Sequence, residues 1–381
     1  MSSHSGGYFL YHSIGQYPDK STDFASAMSE FASVWGRADD DQWAYLLSRR
    51  AEFIDLWCKL IAAPEKTVTT CENVTQGLHM LVTSLPDNYL RGRKVLVAAD
   101  CFPSNHFLLS GLQERLGFTL ETVKLRQGAS WVEDEDMIAK WDRDVALALV
   151  TWVSSTSSRK ADMEALTAHG RAMGSIVGVD ITQAAGLLPF AVDAPAVDFV
   201  LSTSLKWMCG APGAGMLYVR PELIGSCQPQ LRGWFSQDDP FNWDIDRFAY
   251  ASDIRRFDNG TPSIVAAAAT VPALRWHAQI DKAGLLAHNR ALTGQLIAAA
   301  DDLHLGLVTP RDEAHRGGSV MIRLPSGDAA LRLIAQLRQQ QLYADNRGAI
   351  LRLSPGHMTS ADATESLIGL LQDSGCRQAP A

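Results

Sequence analysis

Ser202-Thr203-Ser204-Leu205-Lys206 is the stretch on which the reading of this chain turns. It closes an apolar run, Asp198-Phe-Val-Leu-Ser202, and is followed by a glycine-rich turn, Cys209-Gly-Ala-Pro-Gly-Ala-Gly215. Upstream, Ser175-Ile-Val-Gly-Val-Asp180 is a second apolar run that ends in a carboxylate. Uninterrupted apolar runs of this length read as parallel strands buried on both faces, and such strands present functional side chains at their carboxyl ends. A lysine held among apolar and small hydroxyl neighbours loses solvation, so its amine becomes available as a nucleophile near neutral pH.

Alone, a lysine after a strand is an ordinary surface residue, and an aspartate at a strand end is an ordinary turn residue. Together, on two strand ends, Asp180 and Lys206 are the minimum apparatus for pyridoxal phosphate. The lysine carries the aldehyde as a Schiff base and the carboxylate faces the pyridinium nitrogen. That expectation requires a phosphate site, a ring-stacking group and a substrate anchor elsewhere in the chain.

Working outward toward the N-terminus, Thr67-Val-Thr-Thr-Cys-Glu72 reads as a strand. Asn73-Val74-Thr75 then leads into an apolar helix over 76–85. Asn and Thr there serve as caps, and the free N–H groups of such a helix start also bind a phosphate dianion. Lys94–Asp100 is another buried strand, followed by the loop Cys101-Phe102-Pro103-Ser104-Asn105-His106 and a helix over 104–116. Phe102 can stack on a planar ring or simply pack against that helix. Asp144–Thr151 reads as a third strand with Thr151 at its carboxyl end, and a helix over 160–173 leads to the strand ending at Asp180. Gln183, three residues on, lies within reach of a phenolate oxygen on a ring bound there.

This alternation of strand and helix from 67 to 206 predicts an α/β fold with a mainly parallel sheet and right-handed crossovers. Gly215–Arg220 follows a tight turn and is expected to run antiparallel. At the N-terminal end, residues 8–18 read as a short strand entering a glycine turn, and 23–62 carry helical spacing, with Trp35 and Trp43 expected as core anchors. Pro262 is expected to open a helix over 262–278, with another over 281–300. The last third changes texture: strand 319–324, helix 328–341, strand 349–354 and helix 361–371 describe a small α/β unit. The expected division is a large domain over 46–275 and a small domain built from 1–45 and 276–381.

At 381 residues, with 46% hydrophobic and 20% charged residues, the chain supports a large core and is not a disordered sequence. A net charge of −8 without basic runs argues against nucleic acid as a partner. No apolar run has membrane-spanning length, and Met1–Gly7 lacks the features of a signal peptide. Six cysteines without a CxxC pair, and ten histidines without HxxxH or HExxH spacing, fit a cytoplasmic protein without a bound metal. Tyr17, Trp35, Trp43 and Trp243 are aromatic candidates for a substrate pocket, though core packing accounts for each equally well.

Taken in order, these features resemble the class V branch of the fold-type I pyridoxal-phosphate enzymes, and most closely kynureninase. The resemblance runs from Tyr8 to about Ser360. It rests on Ser13-Ile14-Gly15, Val74-Thr75 before Leu78-His79, Phe102-Pro103-Ser104, Asp180 and Lys206. It continues through Gly233-Trp234-Phe235, Pro262 with Ile264, and Asp345 with Arg347 before Arg352.

It implies a seven-stranded large domain, a homodimer and an amino-acid substrate. Lys206 would carry the cofactor, Asp180 would pair with its ring nitrogen, Val74 and Thr75 would hold its phosphate, and Phe102 would stack on the ring. Thr151 and Gln183 would be polar neighbours, with Asn105 and Ser204 completing the cofactor set from the loops beside Phe102 and Lys206. Trp234 and Thr261 would reach a phosphate, that of the other subunit. Arg352 would hold the substrate α-carboxylate, a role suited to a bidentate guanidinium, with Ser13 beside it.

The departures bear on the reaction. Leu205 stands where kynureninase has a tyrosine, Gln183 where it has a histidine, and Gly36 where a substrate-contacting histidine is expected. Ala344 stands where a cysteine desulfurase would carry its mobile cysteine. The expected chemistry is bond cleavage at the substrate β-carbon, with transamination as the alternative. A non-catalytic scaffold is disfavoured by retention of both Lys206 and Asp180.

Overall fold

In the computed structural model the apolar runs assemble into one sheet whose carboxyl ends meet at Lys206. The structure describes residues 6–373. Cys376 and the N-terminal residues 1–5 lie outside the described residues. Helices α1 (Lys20–Trp35) and α2 (Gln42–Leu60) precede the sheet. Its strands are β1 (Val68–Cys71), β2 (Lys94–Ala98), β3 (Thr119–Val123), β4 (Val145–Thr151), β5 (Ile176–Asp180), β6 (Phe199–Thr203) and β7 (Gly215–Val219). Between them run α3 (Val74–Val82), α4 (Pro103–Leu116), α5 (Asp134–Lys140) and α6 (Met163–Met173), with the single turn α7 (Pro221–Ile224) after β7.

The strand order is β1-β7-β6-β5-β4-β2-β3. β2, β3, β4, β5 and β6 pair in parallel, while β7 runs antiparallel to both β6 and β1. The sheet is therefore mainly parallel, with β7 as the reversed strand, as the tight turn before Gly215 predicts. Every residue of β5, β6 and β7 is buried, which explains their unbroken apolar character. One face of the sheet packs against α2, α6 and α8 (Val265–Gln279) through Phe53, Trp57, Leu166, Val179 and Leu274. The other packs against α3 and α4 through Leu78, Leu81, Leu109, Phe199 and Leu201.

Helix α9 (Lys282–Asp302) leads to a second, four-stranded antiparallel sheet ordered β10-β11-β9-β8. Its strands are β8 (Gly306–Leu307), β9 (Val320–Arg323), β10 (Asp345–Arg347) and β11 (Ile350–Leu353). Helices α10 (Gly327–Gln339) and α11 (Ala361–Asp373) complete this unit. Its core contains Leu296, Ile322, Leu333, Leu353 and Leu367, and Phe9 from the chain's beginning.

Several expectations are corrected. Residues 8–18 form no regular strand: Tyr8 and Leu10 make single bridges to Tyr343 and Ser354, and the chain then turns. Helix α3 begins at Val74, because Asn73 caps it by accepting the Gln76 N–H, and ends at Val82. Helix α8 starts at Val265 rather than at Pro262; residues 261–263 are held in a cavity wall, and the helix contains Pro272 instead. Trp35 and Trp43 are 53% and 44% exposed, so neither anchors the core of this chain. Trp57 and Trp141 do so.

Candidate active site

Three neighbouring strands end side by side. Thr151 closes β4, Asp180 closes β5 in register with it, and Thr203 closes β6. Lys206 follows in a loop pinned by the Ser204 N–H to the Ala214 carbonyl (3.0 Å) and the Gly210 N–H to the Ser204 carbonyl (2.7 Å). The N-terminal segment lies across this loop, and the Gly15 N–H donates to the Leu205 carbonyl at 2.9 Å. A Cβ at position 15 would stand 1.9 Å from the Lys206 carbonyl oxygen, so only glycine allows the approach.

These strand ends, the start of α3 and the loop before α4 enclose a cavity of about 290 Å³. Lys206, Asp180, Phe102, Val74, Thr75 and Thr151 line it, as does Gln183. The Lys206 Nζ lies 5.2 Å from the centre of the Phe102 ring, which settles the placement of that ring on the cavity side. Burial pushes the Lys206 amine down to about 8, against the pull of Asp180 and with further lowering from Arg352 and Arg347. Asp180 is oriented from two sides. Its Oδ1 accepts the Thr182 N–H at 2.9 Å and its Oδ2 accepts the Asn105 Nδ2 at 3.1 Å.

The lining fits pyridoxal phosphate. The hydroxyls of Thr151, Thr182 and Thr203 are buried in this wall without a hydrogen-bond partner, and unpaired buried hydroxyls are costly unless a ligand completes them. At the start of α3 the first amides have no intrahelical acceptor, which suits a phosphate dianion. Lys206 matches an aldehyde, and Asp180 a ring nitrogen that bears a proton. Among the described residues no three His, Cys, Asp or Glu side chains cluster as metal ligands would.

Other expected residues are placed differently. Ser204 points away from the cavity: it is fully buried and its Oγ accepts the Trp57 Nε1 at 3.2 Å. Thr203 stands in the wall instead, because side chains alternate along β6 and its last residue is the one delivered to the carboxyl edge. Asn105 does not line the cavity but holds Asp180 from behind. Gln183 lines it with its amide already engaged by the His12 carbonyl (3.1 Å) and the Trp207 Nε1 (3.2 Å). Ser13 is half-buried in the N-terminal turn and is not in the wall.

Arg352 is not open either: its guanidinium grips Asp345 with two nitrogens, Nε at 2.8 Å from Oδ1 and a terminal nitrogen on Oδ2. His12 Nε2 lies 3.1 Å from the same Oδ1, and His12 Nδ1 meets Ser354 Oγ at 2.6 Å. Within one chain, Trp234 and Thr261 do not reach Lys206. Trp234 sits among the rings of Trp43, Phe235, Phe241 and Trp243. Thr261 lines a separate cavity of about 460 Å³ with Arg50, Thr70 and Asp258.

Thr182, Thr203 and Asp345 are the site residues that sequence reasoning left without a role. Thr203 was within reach of the rule that selects Thr151 and Asp180, namely the last residue of a parallel strand.

A mainly parallel seven-stranded sheet with a strand-end lysine, a strand-end aspartate and a helix-start phosphate cradle defines a fold-type I pyridoxal-phosphate enzyme. The aminotransferase class-V family model matches residues 55–360, and the chain belongs to that family, whose cofactor is pyridoxal phosphate. Among its curated relatives, the kynureninase of Deinococcus radiodurans is 30% identical over 290 residues, covering 74% of this chain and 68% of that protein. The kynureninase of Geobacillus thermodenitrificans is 28% identical, covering 77% and 70%. The fold is also that of a cysteine desulfurase from Thermococcus onnurineus (TM-score 0.83, 20% identity, covering 96% and 94%). A cystine C–S lyase mutant with glycine covalently linked to its PLP cofactor superposes with a TM-score of 0.85 at 18% identity, covering 96% of both chains.

Proposed function

We propose that this protein acts on an α-amino acid and breaks a bond at its β-carbon, as a kynureninase-like lyase or hydrolase. The observation that carries this reading is a set of kynureninase relatives matched over 72% to 82% of the chain, on a site that places Lys206 and Asp180 around one cavity. Pyridoxal phosphate, when bound, supplies a sink for the electron pair left at the substrate α-carbon.

The chain's residues divide the remaining work. Lys206 would hold the cofactor aldehyde, and its Nζ is the group placed to take the substrate α-proton. Burial favours the neutral, proton-accepting amine for that step. Asp180, fixed by Asn105 and the Thr182 amide, would keep a proton on the ring nitrogen. Val74, Thr75 and Thr203 would hold the phosphate, Phe102 would stack on the ring, and Thr151 and Gln183 would be its polar neighbours, all of them lining the one cavity. No cysteine lines the cavity, and Ala344 is a buried residue of the small core, which disfavours persulfide chemistry. With Leu205 and Gly36 in place of two kynureninase side chains, we assign the bond cleaved rather than kynurenine as the substrate.

The family model's own description favours transamination as a second reading, since the same residues serve as far as α-proton removal. The two separate in one experiment. The protein loaded with pyridoxal phosphate is incubated with a panel of L-amino acids, kynurenine included, and assayed for ammonia, alanine and pyruvate and for pyridoxamine phosphate. Release of a side-chain fragment supports β-cleavage; conversion of the cofactor to its amine form without a fragment replaces it with transamination. We further assign a homodimer and a cytoplasmic setting, supported by the exposed aromatic surface and by the free, buried cysteines. The division into a large unit, 46–275, and a small unit from 1–45 and 276–381 is supported by Phe9 joining the core of the second sheet.

A further inference from the structure

The guanidinium of Arg352 is held by one edge only. Asp345 accepts from its Nε at 2.8 Å and from its Nη2, which takes the long side of the group. A guanidinium carries five N–H groups, so three remain, one on Nη2 and two on Nη1. Nη1 bonds to none of the described residues, and the two terminal nitrogens together form a second edge that matches a carboxylate.

The carboxylate on the first edge is itself held. His12 Nε2 faces Asp345 Oδ1 at 3.1 Å, His12 Nδ1 lies 2.6 Å from Ser354 Oγ, and Ser354 Oγ lies 2.6 Å from Ser319 Oγ. One arrangement of protons serves this row. With its proton on Nε2 the imidazole donates toward Asp345 and accepts the Ser354 hydroxyl, which accepts from Ser319 in turn. With the proton on Nδ1, two lone pairs would face each other between Nε2 and Oδ1. His12, Ser354 and Ser319 are all buried, so no bulk water relieves such a contact. Burial pushes the His12 imidazole down, against the hydrogen bond it makes to Asp345, so the ring is neutral in this role. Burial works to raise the Asp345 carboxyl, but the bonds from His12 and Arg352 outweigh it and bring it to about 2.

The row also touches the wall of the Lys206 cavity. Gln183 lines that cavity and donates its amide to the His12 carbonyl at 3.1 Å. Contacts therefore run without a break from the cavity wall through Gln183, His12 and Asp345 to Arg352.

We propose that His12 and Asp345 are positioning residues that hold the Arg352 guanidinium by one edge, so that its second edge is aimed for the α-carboxylate of the substrate. This rests on the cofactor-dependent reading above and on the role the resemblance gives Arg352, to which it adds the pair that aims it. A long side chain without that hold spreads over rotamers and must be ordered again each time a ligand binds. Asp345 offsets the charge of the arginine, so orientation rather than surplus charge sets the preference for a carboxylate.

The test uses the protein loaded with pyridoxal phosphate, titrated with L-alanine and with L-alaninamide, which keeps the amine and lacks the carboxylate. Binding is read from the visible band of the cofactor. The wild type should prefer L-alanine. Asp345→Asn keeps the shape of the side chain but offers one acceptor oxygen in place of two, and should cut that preference about fivefold. Asp345→Ala should cut it about tenfold. L-Alaninamide should bind both variants as it binds the wild type, which shows fold and cofactor intact; where Asp345→Ala does not fold, Asp345→Asn decides alone. A wild type indifferent to the carboxylate, or a preference that stays at the wild-type level or rises on loss of Asp345, overturns the inference alone; a rise would make Asp345 a competitor for Arg352. His12 is read without the cofactor. The histidine side-chain 1H–15N spectrum of cofactor-free protein at pH 7, assigned by the signal lost in His12→Asn, should show a neutral ring protonated on Nε2. A ring protonated on Nδ1, or on both nitrogens, overturns the part given to His12. A wild type that develops no band with pyridoxal phosphate overturns the cofactor reading and this inference with it.

Discussion

Lys206 stands between two opposed effects, since burial drives its amine toward neutrality and Asp180 favours the charged form. With the balance at about 8, roughly a tenth of the molecules carry the free amine at pH 7. The rate at which cofactor-free protein develops the visible band should climb about tenfold per pH unit below that point and level off above it. Stopped-flow absorbance across pH 6–10 checks this, and Lys206→Ala should give no band that survives borohydride treatment and dialysis. The same shift fixes a sign for stability. Between about 8 and the ordinary lysine value the unfolded chain binds a proton that the folded one does not, so this group's contribution to stability rises with pH across that window. Asn105 tests the other half of the pair. In Asn105→Leu one oxygen of the buried Asp180 loses its donor, at a cost of about 1–3 kcal/mol. Cofactor affinity, measured by equilibrium dialysis, should fall about tenfold to a hundredfold, and unchanged affinity would remove Asn105 from the site. Lys206 and Asp180 were legible because each follows an apolar run that can only be a buried strand. Ser204 was not, because its orientation depends on Trp57, 147 residues away in the chain.

At the scale of elements, the site depends on the N-terminal segment lying flat on the Lys206 loop. Gly15→Ala would push a Cβ into the Lys206 carbonyl and the Cys209 sulfur, both part of that buried loop. Such overpacking costs about 1–3 kcal/mol, and here the loop that moves is the one carrying the reactive amine. Chemical denaturation should show that loss, and cofactor uptake should slow with it. Gly111→Ala is the control: it lies on the exposed side of α4 with nothing within 4 Å of its added Cβ. That change should stabilise the protein by about 0.5–1 kcal/mol. Strands buried on both faces, β4 to β7, were readable from composition alone, since burial on both faces leaves them almost wholly apolar up to the polar residues at the carboxyl ends of β4, β5 and β6. The elements missed are those without that signature. β3 is an edge strand with one buried residue, Val123, and β8 and β10 are two and three residues long. Tyr8 and Leu10 bridge to the second sheet one residue at a time, and nothing local in their sequence names the partner.

The whole molecule leaves one pattern without an explanation inside a single chain. The helical spacing of Phe24, Met28, Phe31 and Trp35 predicts an apolar stripe, and α1 forms as expected, yet none of its residues is buried. Phe24 is 37% exposed and Trp35 53%, with Phe31 stacked on Trp35 at 6.3 Å. Another aromatic surface lies around Trp234, where Trp43, Phe241 and Trp243 gather and Ile245 is 96% exposed. Periodicity identified which residues are apolar but not what they pack against, because a stripe awaiting another subunit looks the same as one awaiting the core. Exposed apolar surface on this scale marks an interface. We propose a second copy of this chain as the occupant, which would also give Trp234 and Thr261 a task, since neither lines the Lys206 cavity within one chain. Sedimentation at micromolar concentration should therefore return twice the 41.5 kDa of one chain. Trp243→Glu combined with Ile245→Lys, at positions 74% and 96% exposed in the single chain, should shift the protein toward monomer. Affinity for pyridoxal phosphate should fall in step with dimer content. Retained far-ultraviolet circular dichroism would show that the monomer is folded, so that the loss reflects a site completed across the interface. A wild type that is monomeric and binds the cofactor fully would give Trp234 and Thr261 no part in the site and leave the aromatic surface to another partner.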